Sequence, residues 1–430
     1  MTAARLGPIT LAPGILPRHV LAYLAGAFVS IGLFTFLTAL TPYVLRVNLG
    51  LPDEGQGRLS GDLQFAQELA ILVAVGYWGA LSDRHGRRFV LVAGFLLLAA
   101  AYVLYGFARS VPELYAARLL FGIGTAAGGA MLTAVVAGDY PDERSRGALT
   151  GLTYVVQGLG ATAFFFGLTR LPAMFAGNGA SELWAGRLAY LTVAAIAVAG
   201  ALAFLGMHPG RREARDARRP LLAGVREGLA AGRNPRIALA YASSFAARAD
   251  LVMITLFLTL WVTQAASSAG MTPGAAAARA GIAVGISQLA ALVWSGVFGV
   301  IADRLDRVTA MALAFALAAL GYGAIALAGD PTAPAAIPLL VLLGIGQASA
   351  ILAPALLLGQ AAAAESRGAA FGLQALCGGA GILGISFAGG RLFDAVGPYA
   401  PFALMAVGNA LVMAWALMLR RRNQASTTPA

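Results

Sequence analysis

The runs Phe89–Phe107 and Met311–Ala328 contain no charged residue, and each is long enough to cross the hydrocarbon core of a bilayer as one helix of roughly 20 residues. Only 11% of the chain is charged and 59% is apolar, against the roughly 25% charged residues of an ordinary soluble domain. A length of 430 residues accommodates about a dozen spans of roughly 20 residues with short loops between them. The expected fold class is therefore an all-α membrane protein with twelve transmembrane helices. The 54 glycines fit helices that pack closely in lipid.

The net charge of +11 raises the question of nucleic acid, and the placement of the charge answers it. All 30 basic residues are arginine. With a cytoplasmic amino terminus, 21 fall in inner segments, 7 in or beside outer ones and 2 inside spans. That asymmetry follows the positive-inside rule, so no nucleic-acid partner is expected and both termini are read as cytoplasmic. Met1–Arg18 lacks the apolar core and small-residue cleavage site of a removable signal, which leaves span one as the insertion signal. The one cysteine, Cys377, excludes an intrachain disulfide.

The spans run, in order, over about 19–45, 62–81, 89–107, 112–137, 147–168, 188–207, 235–261, 275–302, 308–328, 335–358, 368–392 and 398–419. Residues 1–18 form a cytoplasmic terminus, 208–235 an arginine-rich cytoplasmic linker and 420–430 a cytoplasmic tail. Between them lie two six-helix bundles, 19–207 and 236–419. Ser110 with Pro112 and Glu113 reads as a capping box, and Asn234-Pro235 as an N-cap with proline at the first helical position. Leu221, Leu222, Val225 and Leu229 share one helical face in the linker, which suits a helix on the membrane surface. Trp78, Trp261, Trp294 and Trp415 near span ends suit an interfacial belt.

The stretch Gly79-Ala-Leu-Ser-Asp83-Arg84-His-Gly86-Arg87-Arg88 forms a turn between spans two and three. A near copy returns 220 residues on, with Gly299, Asp303, Arg304 and Arg307 in place and Asp306 where Gly86 would be. Ser145-Arg146-Gly147-Ala148 likewise returns as Ser366-Arg367-Gly368-Ala369 at an offset of 221. A repeat of six spans keeps its orientation in the membrane, so the two bundles are expected to be related by a pseudo-twofold axis along the membrane normal.

Over Arg18 to Arg422 these features resemble the major facilitator superfamily. The family's loop motif, Gly-x-x-x-Asp-Arg/Lys-x-Gly-Arg/Lys-Arg/Lys, is complete from Gly79 to Arg88, and the second copy departs from it at Asp306. Arg118 followed by Gly122 and Gly124 resembles a helix-four motif of proton-coupled members, with Phe121 where many have glutamine. The Gly-Pro pair of drug antiporters in span five is missing, as are the signatures of sugar and peptide porters. The resemblance implies a secondary transporter working by alternating access, with Gly79, Asp83, Arg84, Gly86, Arg87, Arg88, Asp303 and Arg304 in cytoplasmic gating loops. It also leaves a purely topogenic role for the loop arginines open.

Charges inside spans cost roughly 2.5–3.5 kcal/mol each on the insertion scale and mark candidate functional sites. There are four: Glu68, Arg118, Arg248 and Asp250. Glu68 and Arg118 lie at similar depth, which makes an ion pair or a protonation site of them, and Glu68 aligns with Gln288 in the second half. Arg248 and Asp250 point about 200° apart on a helix. Arg248 falls on a polar stripe with Tyr241, Ser244, Thr255 and Thr259, whereas Asp250 is either a proton carrier or half of a buried pair. The expected partners are a small-molecule solute, protons and membrane lipids, handled by a functional monomer in the cell inner membrane. Proton-coupled efflux competes with transport of an anionic metabolite, which would use the arginines as counter-ions, and with a non-transporting membrane partner or sensor. No catalytic, cofactor or metal site is expected, since His19, His85 and His208 are dispersed along the chain.

Overall fold

A computed structural model describes residues 4–209, 221–363 and 366–425. Among the described residues twelve helical segments are long and apolar enough to cross a membrane. Spans one to six are Pro17–Val47, Gln56–His85, Arg87–Phe107, Val111–Ala134, Glu143–Gly177 and Glu182–Leu205. Spans seven to twelve are Pro235–Ser268, Pro273–Arg304, Arg307–Ala326, Pro334–Ala361, Arg367–Ala395 and Ala400–Arg422. The expected all-α, twelve-span class is what the chain adopts. Part of the linker, including Arg211–Arg219, lies outside the described residues.

The chain packs as two compact units. The first comprises Met1–Asp53, Leu63–Arg215 and Ala266–Gly285; the second comprises Glu54–Asp62, Asp216–Ala265 and Ile286–Ala430. Two short segments thus pack away from the half of the sequence that holds them. In the first unit, Gly274 and Gly281 lie so close to the backbone of Ala173 and to Thr169 that a side chain would not fit at either. In the second, Asp394 accepts the amide hydrogens of Gly57 (3.0 Å) and Arg58 (2.7 Å). A carboxylate there satisfies the free N–H groups of a helix start and meets the positive end of its dipole. Arg391 donates to Asp62 at 2.9 Å. These contacts begin span two at Gln56, earlier than the sequence spacing suggests, and absorb much of the outer loop.

Local signals explain the other breaks. Pro42 lacks an amide hydrogen and its ring crowds the preceding turn, so span one divides into helices Pro17–Ala39 and Thr41–Val47. Glu113 accepts from the Arg109 amide and the Ser110 hydroxyl at the start of span four. Asn234 accepts from the Arg236 amide at the start of span seven. The Asn234 cap therefore forms as expected, whereas the capping box at Ser110 does not, since its hydroxyl donates to Glu113 and accepts no helix amide. Span four runs into a π-helical turn, Val135–Asp139, and span seven contains another, Met253–Leu258.

Three expectations need correction. The amino-terminal segment, expected only as a cytoplasmic terminus, carries its own short sheet. Strands β1 (Arg5–Leu6) and β2 (Ile9–Thr10) form a hairpin, and Leu11 bridges to Pro141 in the loop after span four. Trp78 and Trp261 are buried rather than part of a surface belt. The Trp78 indole donates to the Ile123 carbonyl at 2.8 Å, so it holds span two to span four. Lastly, His19 and His208, far apart in sequence, bring their rings to 5.5 Å. In the linker, a helix over Leu221–Ala231 does form. Its Gly228 packs against Ala369 and Leu373 of span eleven.

Candidate functional site

In the first unit the polar centre is built around Arg118, whose side chain is completely buried on span four. Its guanidinium donates to Thr38 Oγ1 (2.9 Å), Gln67 Oε1 (2.6 Å) and Thr41 Oγ1 (2.5 Å), and its carbon lies 5.2 Å from the centre of the Tyr105 ring. Thr41 spends its one hydroxyl hydrogen on the Leu37 carbonyl. In its 3.1 Å contact with Tyr105 the phenol must therefore donate. Thr38 in turn donates to Gln64 at 3.2 Å.

Arg118 thus rests on three neutral oxygens and an aromatic face, with Nε left without an acceptor. Of the two alternatives for Glu68 and Arg118, an ion pair or a protonation site, the pair is not among the contacts of the Arg118 guanidinium. Gln67, the residue before Glu68, takes that place, because a turn of the helix aims residue 67 at span four. Glu68 itself is buried on span two. Thr38 and Thr41, three residues apart on either side of the break before Pro42, meet the same guanidinium.

In the second unit the corresponding feature is Asp250, also fully buried. Asn409 on span twelve donates to its Oδ1 at 3.3 Å, while Oδ2 has no partner. Tyr322 on span nine donates to the Asp250 backbone carbonyl at 3.1 Å, just before the π turn of span seven. The alternative of a buried ion pair at Asp250 is overturned, because the carboxyl meets an amide and no cation among the described residues. Arg248 is exposed and packs the stem of its side chain on Gly378 of span eleven. It has neither a hydrogen bond nor an ion pair among the described residues. Gln288 is half-buried on span eight.

The loop motif is organised by Arg87. Its guanidinium reaches Asp139 (3.3 Å), Asp83 (3.8 Å) and Ser82 (2.9 Å), joining the loop to the π turn that ends span four. Arg88 donates to the Met207 carbonyl at 3.3 Å, while Arg84 is exposed. Gly86 has φ +88°, a conformation open to glycine at no steric cost, and any side chain there would run into the Pro209 carbonyl. Gly79 borders open space. In the second copy Asp303 pairs with Arg307 at 3.1 Å, and Arg304 is exposed. Asp306 accepts from the amides of Val308 (3.2 Å) and Thr309 (2.9 Å). One copy begins its next helix with a left-handed glycine, the other with a side-chain cap.

A sequence profile described as Major Facilitator Superfamily matches residues 22–384 and, in a second match, 274–430. The chain belongs to the major facilitator superfamily. Among superfamily relatives, it is 31% identical over 417 residues to the magnetosome protein MamH of Paramagnetospirillum magneticum, covering 94% of this chain and 93% of that protein. It is 29% identical over 398 residues to the magnetosome protein MamZ of the same organism, covering 89% of this chain and 59% of that protein. Among solved superfamily-like folds, the nucleoside transporter NupG matches with a TM-score of 0.71 at 15% identity, over 93% of this chain and 98% of that one. The POT family transporter PepTSo matches with a TM-score of 0.73 at 12% identity, over 96% and 99%. At such identities the likeness is one of fold. Superfamily membership and these neighbours point to a transporter rather than an enzyme.

Sequence reasoning missed Gln67, Tyr105, Tyr322 and Asn409. Thr38 and Thr41 lie three residues apart, a helical spacing that the sequence does show. Asn409 carried a usable signal: it is a polar amide in the middle of an apolar span.

Proposed function

We propose that this chain is a secondary active transporter that moves a small organic solute by alternating access, coupled to protons and in the direction of efflux. The observation that carries the reading is Asp250. A carboxyl group fully buried on span seven, hydrogen-bonded by an amide and with no cation beside it among the described residues, is costly to hold as a charge. A proton removes that cost, so loading and unloading Asp250 gives span seven two states of different energy. The adjacent π turn supports this, since such turns recur at functional sites. Glu68 is the second acid available to the same cycle. In this reading the loops around Asp83–Arg87 and Asp303–Arg307 act as cytoplasmic gates, the two halves 19–207 and 236–419 as the moving bundles, and both termini face the cytoplasm of a monomer in the inner membrane.

The test is proton movement in proteoliposomes with an acid interior, on adding organic cations, neutral amphiphiles and carboxylates in turn. One class of solute should discharge the gradient with the natural protein and fail to do so with Asp250→Asn. If no class moves a proton or a labelled solute, the reading is wrong.

A second reading, transport of an anionic metabolite, is favoured by one observation: Arg248 stands on span seven without a counter-ion among the described residues. Exchange of labelled carboxylates that disappears in Arg248→Gln and survives in Asp250→Asn would select it. The address has a competitor as well. The relatives that match most of the chain are named as magnetosome proteins, so a fluorescent fusion concentrated at magnetosomes would replace the inner membrane as the site of action.

A further inference from the structure

Two buried oxygens on adjacent spans of the second unit have no hydrogen-bond partner: Oδ2 of Asp250 and Oδ1 of Asn409. Their sister atoms are bonded to one another, the Asn409 amide donating to Asp250 Oδ1 at 3.3 Å. With the carboxyl ionised, both unpartnered atoms are acceptors, and neither can satisfy the other. Turning the amide over does not help, since it sets its oxygen against a carboxylate oxygen. What the pair lacks in either orientation is a single hydrogen.

We infer that Asp250 and Asn409 form a one-proton site, a carboxylic acid and a carboxamide joined by two hydrogen bonds in a ring. The Oδ2–H of Asp250 donates to Asn409 Oδ1, and the Asn409 amide returns a hydrogen to Asp250 Oδ1. The proton comes from water and leaves to water; no other bond is made or broken. Asn409 is then a positioning residue, holding the acid in its neutral form and tying span twelve to span seven. When the proton leaves, the amide oxygen faces a carboxylate oxygen with nothing between them, and only the bond from the Asn409 amide to Asp250 Oδ1 remains.

The surroundings favour a proton over a metal cation. A hard cation gathers about six oxygens, whereas two are free here, and the Tyr322 hydroxyl, which donates to the Asp250 carbonyl at 3.1 Å, is within reach of the carboxyl as well. The titratable group facing the carboxyl is that same Tyr322, from span nine. Among the described residues no charged side chain of spans ten, eleven or twelve reaches it, and Arg248 is turned away along its own helix and packed on Gly378. For its part in transport the inference rests on the proton-coupled reading; its chemistry does not.

The experiment is infrared difference spectroscopy of the full chain in lipid across a pH titration. A hydrogen-bonded carboxylic-acid band is expected near neutral pH and absent in Asp250→Asn. In Asn409→Leu the band should move to the position of an unbonded acid and titrate at a different pH. Should that variant fail to fold, carbon-13 asparagine in the natural protein supplies the same readout, because its amide band must shift in step with loss of the acid band. Absence of an acid band assignable to Asp250, or an amide band that ignores the titration, overturns the inference. So does loss of the acid band on adding sodium at fixed pH but not on adding choline, which would make this a cation site. An intact proton site with no proton-driven transport sinks the transport reading alone. Proton-driven transport without an acid band at Asp250 sinks the site and moves the coupling to Glu68.

Discussion

Gln67 Oε1 sits 2.6 Å from the Arg118 guanidinium, so a neutral amide occupies the place where a neighbouring carboxylate was the obvious candidate. A hydrogen bond to a charged group is worth about 1.5–3 kcal/mol, and a buried charge that loses an acceptor has no water to replace it. Gln67→Leu should therefore lower the thermal midpoint in detergent or nanodiscs, with a loss of roughly that size, and Gln67→Glu should not. An unchanged midpoint in Gln67→Leu would mean that Arg118 is held by Thr38, Thr41 and Tyr105 alone.

The two loop copies should respond differently to loss of their helix-starting residue. Gly86→Ala meets both an unfavourable φ of +88° and the Pro209 carbonyl. Asp306→Ala removes a side-chain cap, a change that costs about 0.5–2 kcal/mol. Melting of purified variants should rank Gly86→Ala as the more damaging, because relieving the clash moves backbone while losing the cap does not. The reverse order would place the strain elsewhere.

Asp306 also carries a pH signature. Burial pushes its carboxyl up, while hydrogen bonds from the Thr309 hydroxyl and the amides of Thr309 and Val308, with the charge of Arg236, outweigh that and hold it below the usual range. A folded-state value below the unfolded one means stability that is present above the unfolded aspartate value of about 3.9 and lost as the pH falls through the lower folded value. The gap in midpoint between the natural protein and Asp306→Ala should be full at neutral pH and close below about pH 4. A gap independent of pH would show that the cap works without its charge.

What the sequence revealed and what it hid divide along physical lines. The spans and the Gly79–Arg88 loop were legible because hydropathy and turn chemistry are local: runs without charge must be buried in lipid or protein, and Gly86 has a conformation few other residues take. Partners across the bundle were not legible. That Arg118 meets Thr38, Thr41 and Gln67 depends on how the helices that carry them are rotated against span four. Asp250 could be singled out as a charge in an apolar span, yet Asn409, 159 residues away, has no sequence relation to it. The amino-terminal hairpin was missed for another reason. Its strands are two residues long, too short for alternation to show, and its stability comes from the loop it rests on.

That hairpin makes the last prediction. Leu11 and Ile9 are buried, the Thr10 amide donates to Ser145 Oγ at 2.9 Å, and Ala12 and Asp142 complete backbone bonds to Tyr140 and Thr10. The segment therefore clamps the loop that follows the π turn carrying Asp139, the residue that Arg87 grips. Leu11→Ala empties a packed site, at a cost of about 2–5 kcal/mol, and should free that loop before the spans themselves loosen. Trypsin should cut faster at the exposed Arg144 and Arg146, with little change in the helical circular-dichroism signal. Ser145→Ala should give a smaller effect of the same kind, and adding it to Leu11→Ala should add little, since both act on one contact. If cleavage at those arginines is no faster in Leu11→Ala, the hairpin is a passenger and the loop is held by Arg87 and Tyr140 instead.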